Sequence, residues 1–323
     1  MKDMQGRGSK EDCGMLSRRR FIGGAFAVSA HLAFGDGTAT VAGAADLFRY
    51  ENTLRDHCWM WGHDPGVYDG RNNRNNLPLS PKVSIPDAIK YMGIPNVSVI
   101  RWKIAEPDSD YVRSYRDVKR VSWVVCGRLK DYESLHDQAF RLMPAMPNLV
   151  GLDLDDYFKS ARKFETIETD KGVVKVTNSR IGHAALTALR KEIDALPRKI
   201  ELRMTIYGDK LRPEDAPGIA LADTVLYWTW NGTNLAELRK QFAKYRAIAP
   251  GKRTLLGIYM WDFGAHAPLD MQHMKNQLDI ALEFYRSGEI DGLVFHCTPL
   301  VNKGLETVEY ARNWLAKHGE ERR

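Results

Sequence analysis

Residues 149–158 read Leu-Val-Gly-Leu-Asp-Leu-Asp-Asp-Tyr-Phe, and this stretch decides the fold assignment. Its leucines alternate with Gly151, Asp153 and Asp155, which is the period of a β-strand with two different faces. Asp156 and Tyr157 follow where the strand should end. Three carboxylates at one strand end repel each other, so a cation, a shared proton, a metal or a substrate must compensate for them.

Strand-like and helix-like segments alternate on both sides of this stretch. The expected strands are residues 55–62, 97–102, 121–126, 149–155, 200–207, 224–230, 255–262 and 292–297. Amphipathic segments separate them, and such alternation predicts a parallel sheet. Eight strand–helix units in a chain of this length favour an α/β fold, a single-domain (β/α)8 TIM barrel. The alternative is a doubly wound open sheet, but no glycine-rich turn follows the first strand.

Two insertions interrupt the alternation. Residues 65–82 are polar and rich in Asn, Gly, Arg and Pro, and they are too long for an ordinary βα connection, so they predict a functional loop or lid. After strand 4, residues 165–169 and 173–177 flank Asp170-Lys171-Gly172. This pattern predicts a β-hairpin insertion that covers the strand ends.

The N-terminal residues 1–44 carry an export pattern and are excluded from the fold. Residues 17–22 read Ser-Arg-Arg-Arg-Phe-Ile, which resembles the twin-arginine (Tat) signature, and a weakly apolar run follows at 23–34. Ala42-Gly43-Ala44 is a small-residue cleavage signal, and no Cys follows it for lipid anchoring. The alternative is a basic, disordered tail. The resemblance implies a Tat signal peptide at 1–44 and a periplasmic or secreted protein, which we expect to have no stable membrane anchor after cleavage. The remaining residues, 45–323, are the expected catalytic barrel domain.

The net charge of the chain indicates which class of partner it is suited to bind. The formal net charge of +6 falls to about +4 without residues 1–44, and the charges are interspersed, which argues against nucleic acid as the partner.

Cys58, Cys126 and Cys297 show neither CxxC nor zinc spacing. All three fall on apolar runs, so we expect buried free thiols; the alternative is a Cys58–Cys297 bridge.

Polar and aromatic side chains occur at the ends of the expected strands, where barrel enzymes carry their active sites. A structural barrel would be aliphatic there, because buried charges are costly unless they are paired or used. The candidate catalytic residues are Asp153, Asp155, Asp156 and Asp262. The candidate substrate-binding residues are His63, Asp64, Trp59, Trp61, Arg101, Arg203, Tyr207, Trp228, Trp230, Tyr259, Trp261 and His296.

Paired carboxylates in different surroundings can divide acid and base roles. A carboxylate at strand four and Asp262 at strand seven resemble the arrangement in retaining barrel glycosidases, which supplies acid/base and nucleophile. That group has Glu at both positions, whereas this chain has Asp. The Asp153-Leu154-Asp155 run also resembles the DxDxE strand of chitinase-type barrels, but Tyr157 stands where the Glu would be.

Each candidate also has a structural interpretation. An aspartate at a strand end can cap a helix, which fits Asp156 best, or form a salt bridge to Arg101 or Arg203. The tryptophans can stack on a sugar or merely fill the barrel mouth. His63 and His296, on strands that neighbour each other in a closed barrel, can bind substrate or shuttle a proton, or hold a divalent metal with aspartates.

Three functions therefore stay open. The first is an exported carbohydrate-active glycoside hydrolase without a cofactor, with Asp155 or Asp156 as general acid and Asp262 as nucleophile or base. The second is a metal-dependent sugar isomerase or epimerase of the same fold, with Asp153, Asp155, His63 and His296 as ligands. The third is a non-catalytic sugar-binding protein. In each case the partner is a carbohydrate, and the sequence leaves the oligomeric state open.

Overall fold

The computed structural model describes residues 47–70, 73–78, 81–102, 106–126, 132–158, 163–170, 172–178 and 181–323. The predicted export signal at 1–44 lies outside the described residues. The strands are β1 Cys58–Gly62, β2 Asn96–Val99, β3 Arg120–Cys126, β4 Leu149–Leu154, β5 Lys163–Thr169, β6 Gly172–Asn178, β7 Glu201–Tyr207, β8 Thr224–Trp228, β9 Arg253–Tyr259 and β10 Gly292–His296.

Eight of these strands form the closed parallel barrel that the sequence predicts. Their order around the barrel is β1-β10-β9-β8-β7-β4-β3-β2. β1 closes the barrel by pairing with β10 on one side and with β2 on the other, and its Trp61 lies opposite His296 of β10. Because parallel strands end at the same rim, this register brings side chains from distant parts of the chain together.

Helices connect the strands along the outside of the barrel. Their bounds are α1 Ile85–Met92, α2 Ser109–Arg113, α3 Tyr132–Leu142, α4 Gly182–Asp194, α5 Ala216–Ala220, α6 Leu238–Ile248, α7 Met271–Ser287 and α8 Glu306–His318. At the start of α1, the Ser84 side chain accepts from the Asp87 N–H and Pro86 lies in the first turn, both of which are usual at a helix N-terminus. Among the described residues, no helix has the length and apolar character that a membrane span requires.

The alternation in β4 sorts its side chains between two environments. Leu152 and Leu154 are fully buried in the apolar core, whereas Gly151 and Asp153 lie against Arg203 of β7. The barrel lumen therefore contains a polar layer, and the apolar core lies between strands and helices.

The three described cysteines are buried free thiols, as expected, and the alternative Cys58–Cys297 bridge is wrong. In the β1–β10 pairing, Cys58 lies opposite Leu293, four residues before Cys297. The Cys58 thiol donates instead to the carbonyl of Leu54 at 3.2 Å.

The predicted β-hairpin after strand 4 is present as the antiparallel pair β5–β6. At its base, the Thr177 hydroxyl donates to the Asp215 carboxylate at 2.6 Å, and both side chains are buried. Val173, near the turn, is 71% exposed. The hairpin is thus fastened to the segment that precedes α5, while its turn end projects into solvent.

Candidate active site

The lower layer of the barrel lumen holds a buried ion pair. The Asp153 carboxylate of β4 lies 3.1 Å from Nε of Arg203, and these side chains are 0% and 1% exposed. The hydroxyl of Ser122 donates to Asp153, and Arg203 donates to the hydroxyl of Ser98 at 3.1 Å. Burial raises the pKa of Asp153 above its ordinary value, although Arg203 and the two serine hydroxyls act in the opposite direction.

This layer is closely packed around the guanidinium group. Arg203 lies over the ring of Trp59 at 3.9 Å, a cation–π contact in which both side chains are almost fully buried. A Cβ added to Gly151 would lie 2.8 Å from Cδ of Arg203, so only glycine fits there. Of the predicted site residues, Asp153, Arg203 and Trp59 are therefore used to pack the lumen.

The mouth of the barrel lies above this layer, and Asp155 follows the end of β4 there with 7% of its surface exposed. Its N–H donates to the carbonyl of Cys126 at 2.6 Å, which extends the β3–β4 pairing by one residue. Burial raises the pKa values of Tyr68, Tyr207 and Tyr259 well above the ordinary value of 10, and the charge of Asp155 adds to the shift of each. Tyr68, Tyr207 and Tyr259, from three different segments of the chain, are thus buried phenol groups that keep their protons.

Asp156 has a different environment from Asp155. Its backbone is in the left-handed region, with φ of 51°, and its carboxylate accepts from the Tyr207 hydroxyl at 2.5 Å. A turn rather than a helix follows β4 up to residue 158, so the expectation that Asp156 caps a helix is wrong there. The turn instead points the Asp156 carboxylate towards β7.

The ends of β1 and β2 form a second polar group beside the mouth. Asp64 accepts from the Tyr111 hydroxyl at 2.5 Å and from Nε of Arg101 at 3.4 Å, and all three side chains are largely buried. His63 contacts the carbonyl of Ile100 through Nδ1 at 2.9 Å. The structure thus brings His63, Asp64 and Arg101 together, with Tyr111 of α2 as a partner that the sequence analysis missed.

Aromatic rings surround His296 at the end of β10. Ring centroids of Trp61, Trp228 and Tyr259 lie 6.1, 5.5 and 5.0 Å from the imidazole, and that of Phe263 lies at 4.4 Å. Trp230 is half-buried at the rim, with its ring 5.8 Å from that of Tyr207. Of the five tryptophans expected at the mouth, Trp61, Trp228 and Trp230 lie here, whereas Trp59 packs on Arg203 and Trp261 binds the carbonyl of Asn75. Tyr207, Tyr259 and Phe263 complete the aromatic group.

Asp262 lies beyond the end of β9 and closes a turn. Its Oδ1 accepts from the N–H groups of Gly264 and Ala265 at 3.0 and 2.9 Å, and its backbone pairs with Ala267. A Cβ added to Gly232 would lie 2.5 Å from its Oδ2. Oδ1 of Asp262 thus accepts two backbone N–H groups of its own turn, which gives this side chain a structural task.

The loop at 65–82 contributes a residue that the sequence analysis did not single out. The Tyr68 ring lies 5.5 Å from that of His63, 5.0 Å from that of Trp102 and 6.4 Å from that of Phe263. In the same loop, the Asn75 carbonyl accepts from Nε1 of Trp261 at 2.9 Å. The sequence signal that could have identified Tyr68 is its position as the one tyrosine in the long polar loop that the sequence predicts to be functional.

Among the described residues, no group of three or more His, Cys, Asp or Glu side chains could hold a metal ion. Of the ligands in the metal-enzyme hypothesis, Asp153 contacts Arg203. Of the His63 ring nitrogens, Nδ1 contacts the backbone carbonyl of Ile100 at 2.9 Å.

Comparisons with solved structures agree with the barrel. The xylanase and α-amylase inhibitor protein XAIP-II from Scadoxus multiflorus matches with a TM-score of 0.50 and 11% identity, over 80% of this chain and 98% of that chain. The spore cortex-lytic enzyme SleL from Bacillus megaterium matches with a TM-score of 0.50 and 10% identity, over 84% and 75%. Active domain 2 of a chitinase from Pyrococcus furiosus matches with a TM-score of 0.49 and 14% identity, over 84% of this chain and 99% of that chain.

At this level of identity the likeness concerns the fold alone. No protein-family model matches the sequence, and no curated protein matches it. By their printed names, one of the two structures at a TM-score of 0.50 is an inhibitor and the other an enzyme. The barrel therefore fits both binding and catalysis, and the choice depends on the side chains at its mouth.

Proposed function

We propose that this chain is an exported glycoside hydrolase that acts at the mouth of its barrel, with Asp155 as the general acid. The observation that carries the proposal is the pair of adjacent carboxyl groups at the end of β4: Asp155 is 7% exposed, and Asp156 accepts from the Tyr207 hydroxyl at 2.5 Å. Two carboxyl groups in different surroundings can divide the proton-donor and proton-acceptor roles that glycoside hydrolysis needs. The resemblance of residues 17–22 to the twin-arginine signature supports export.

The reaction needs one proton donor and one proton acceptor. Asp155 donates its proton to the leaving glycosidic oxygen as the bond from that oxygen to the anomeric carbon breaks. A water molecule adds its hydroxyl to the anomeric carbon and gives its remaining proton to Asp156. Exchange with solvent then restores both carboxyl groups. The Tyr207 hydroxyl, which donates to Asp156 at 2.5 Å, holds that carboxylate in place.

The aromatic side chains provide the sugar-binding surface in this proposal. Trp230 is half-buried at the rim and presents a ring beside Tyr207, and flat rings stack on the apolar faces of sugars. His296, enclosed by Trp61, Trp228, Tyr259 and Phe263, lies deeper in the mouth. We assign Asp262 to the turn that it closes and Asp153 to the buried ion pair.

The test is release of sugar from a panel of plant, algal and bacterial glycans by the full chain, with and without EDTA. We expect turnover that survives EDTA and falls roughly 10²–10⁴-fold in Asp155→Asn. Asp262→Asn is the matched control, because asparagine keeps an oxygen for the turn. Loss of activity in EDTA that a divalent ion restores supports the isomerase or epimerase hypothesis instead. Equal activity of wild type and Asp155→Asn contradicts the proposal.

A second candidate function is sugar binding without catalysis. It is favoured by Tyr157, which is 1% exposed and stands where the resembling chitinase-type pattern has its Glu. Under this function, no glycan in the panel is cleaved, and Asp155→Asn binds oligosaccharide as tightly as the wild type. Isothermal titration of both proteins with the same oligosaccharides distinguishes the two functions.

A further inference from the structure

Two short segments at the rim of the mouth face each other. Residues 230–232 come shortly after the end of β8, and residues 262–264 come shortly after the end of β9. Their first contact is aromatic: the ring centroids of Trp230 and Phe263 lie 5.8 Å apart, with the ring planes inclined at 45°. Phe263 is 1% exposed, whereas Trp230 is only half-buried. The contact therefore joins a core ring to a ring at the surface.

The next contacts are reciprocal and involve one glycine from each segment. A Cβ added to Gly232 would lie 2.5 Å from Oδ2 of Asp262 and 3.1 Å from its Cγ. A Cβ added to Gly264 would lie 1.6 Å from Oδ1 of Asn231 and 3.0 Å from its Cα. Neither glycine has a positive φ, so the close approach of the other segment, and not the backbone conformation, requires glycine here. We call residues 230–232 and 262–264 the rim interlock.

The β9 side of the interlock is a turn held by its own hydrogen bonds. Oδ1 of Asp262 accepts from two N–H groups of this turn, at 3.0 and 2.9 Å. The Asp262 N–H donates to the Ala267 carbonyl at 2.9 Å, and the Ala267 N–H donates to the Asp262 carbonyl at 3.2 Å. Because Gly264 of this turn contacts Asn231, the conformation that Asp262 stabilises also fixes the segment that carries Trp230.

The Trp230 ring lies beside the groups of the proposed reaction. Its centroid is 5.8 Å from that of Tyr207 and 6.0 Å from that of Tyr259, with interplanar angles of 81° and 88°. The Tyr207 hydroxyl donates to Asp156 at 2.5 Å. One side chain, Tyr207, thus connects the Trp230 ring to the carboxylate that accepts a proton in the proposed reaction.

We propose that the rim interlock positions the Trp230 ring as a platform for a pyranose, with Asn231 and Asp262 as the positioning residues. Flat aromatic rings bind the apolar face of a sugar, and a ring that is held in place before binding loses little conformational freedom when the sugar arrives. Asn231 and Asp262 act through Trp230 and need not touch the sugar. This inference rests on the proposed glycoside hydrolase function, and it gives Asp262 a role other than that of nucleophile or base.

The first experiment follows the Trp230 ring without a ligand. The full chain is labelled with fluorotryptophan at its eight tryptophans, and the fluorine resonance of Trp230 is assigned as the one lost in Trp230→Phe. We expect Gly264→Ala to shift this resonance, because the new methyl group displaces Asn231, and to leave that of Trp314 on α8 in place. Asn231→Ala adds no bulk and should shift the Trp230 resonance as well. Gly218→Ala, on α5, is the control and should leave it unchanged.

The second experiment measures the consequence for sugar binding. Isothermal titration and initial rates use hexamers of β-1,4-linked N-acetylglucosamine and of β-1,4-linked xylose. Gly264→Ala should weaken binding and raise KM roughly 3–10-fold with kcat nearly unchanged, as expected for the loss of about one aromatic contact. In the double variant Asn231→Ala/Gly264→Ala the new methyl group takes the space that the amide leaves, so we expect its KM to lie closer to that of the wild type. Asp262→Asn keeps the turn and should bind as the wild type does, whereas Asp262→Ala should resemble Gly264→Ala.

The outcomes separate this inference from the proposed function. A Trp230 resonance that stays in place in both Gly264→Ala and Asn231→Ala overturns the interlock; if Gly264→Ala does not fold, Asn231→Ala carries both measurements. A shifted resonance with unchanged affinity and KM overturns the platform and leaves the hydrolase standing. Weaker binding of a hexamer that the wild type binds but does not cleave supports the platform and counts against the hydrolase. Failure of the wild type to bind either hexamer counts against both.

Discussion

The carboxylate of Asp153 lies 3.1 Å from Nε of Arg203, and both side chains are enclosed in the barrel lumen. The pair links β4 to β7, two strands that are neighbours in the barrel but are separated in sequence by the β5–β6 hairpin and α4. Asp155, two residues later, lies just beyond the end of β4 at the mouth. One alternating stretch thus supplies a structural carboxylate and a candidate catalytic one.

The first prediction concerns the stability of this ion pair. Asp153→Asn removes the charge opposite Arg203 and leaves a buried guanidinium without compensation, so we expect a loss of about 3–5 kcal/mol in the free energy of unfolding. Urea denaturation followed by tryptophan fluorescence measures it. Asp155→Asn is the control and should lie within about 1 kcal/mol of the wild type. An Asp153→Asn protein of unchanged stability that has lost activity would instead make Asp153 catalytic.

The second prediction concerns Gly151. In Gly151→Ala the new methyl group would lie 2.8 Å from Cδ of Arg203 and 3.2 Å from Cβ of Ser122. Overpacking of this kind costs about 1–3 kcal/mol. Gly218→Ala is the matched control, because its nearest neighbour is the end of a Phe158 ring at 3.3 Å and its site is helical. Equal unfolding midpoints for the two variants would refute the tight packing around Arg203.

The third prediction separates the two interpretations of Asp262. Its Oδ1 accepts two backbone N–H groups, and an asparagine oxygen can do the same. We therefore expect Asp262→Asn to change stability by less than about 1 kcal/mol and to remain active, whereas Asp262→Ala loses about 1–3 kcal/mol. Thermal unfolding and initial rates measure both effects. Complete loss of activity in Asp262→Asn, with stability intact, would support the nucleophile or base role suggested by the sequence.

The fourth prediction concerns the hydrogen bond from Tyr207 to Asp156. A hydrogen bond to a charged group contributes about 1.5–3 kcal/mol, so we expect Tyr207→Phe to lower kcat roughly 10–100-fold with a small change in KM. Tyr245→Phe is the control, because the Tyr245 hydroxyl contacts Thr254 at 2.7 Å, away from the mouth. A selective rise in KM would assign Tyr207 to substrate binding rather than to orientation of Asp156.

The fifth prediction concerns the acid sensitivity of the fold. Burial lowers the pKa of His57 from 6.5 to about 4, and Arg253 and Arg323 add to the shift. As the pH falls from 6.5 to 4, the unfolded chain therefore binds a proton that the native protein does not, and stability decreases. His57→Gln should reduce this loss by about 1–2 kcal/mol, allowing for the exposed part of the ring. Urea midpoints of both proteins across this pH range provide the measurement, and parallel curves would contradict it.

The local pattern was sufficient for the barrel and for most of its elements. Leucine alternation predicted β4, and the Asp170-Lys171-Gly172 turn predicted the hairpin. Strand ends were less accurate, since β8 ends at Trp228 and β9 at Tyr259, before the predicted ends at 230 and 262. Strand ends depend on pairing with neighbouring strands, which a single segment does not encode. Asp262 was therefore expected on a strand end and lies in a turn.

The sequence by itself determined which kinds of side chain reach the barrel mouth, because chain order and the two-residue period of a strand are local properties. Only the tertiary structure decided what each of them does. Asp153 and Asp155 follow the same alternation, but Arg203 comes from a strand more than forty residues away and meets only the first. The His63 N–H donates to the Thr298 hydroxyl at 2.9 Å for the same reason: closure of β1 on β10 brings remote segments into contact.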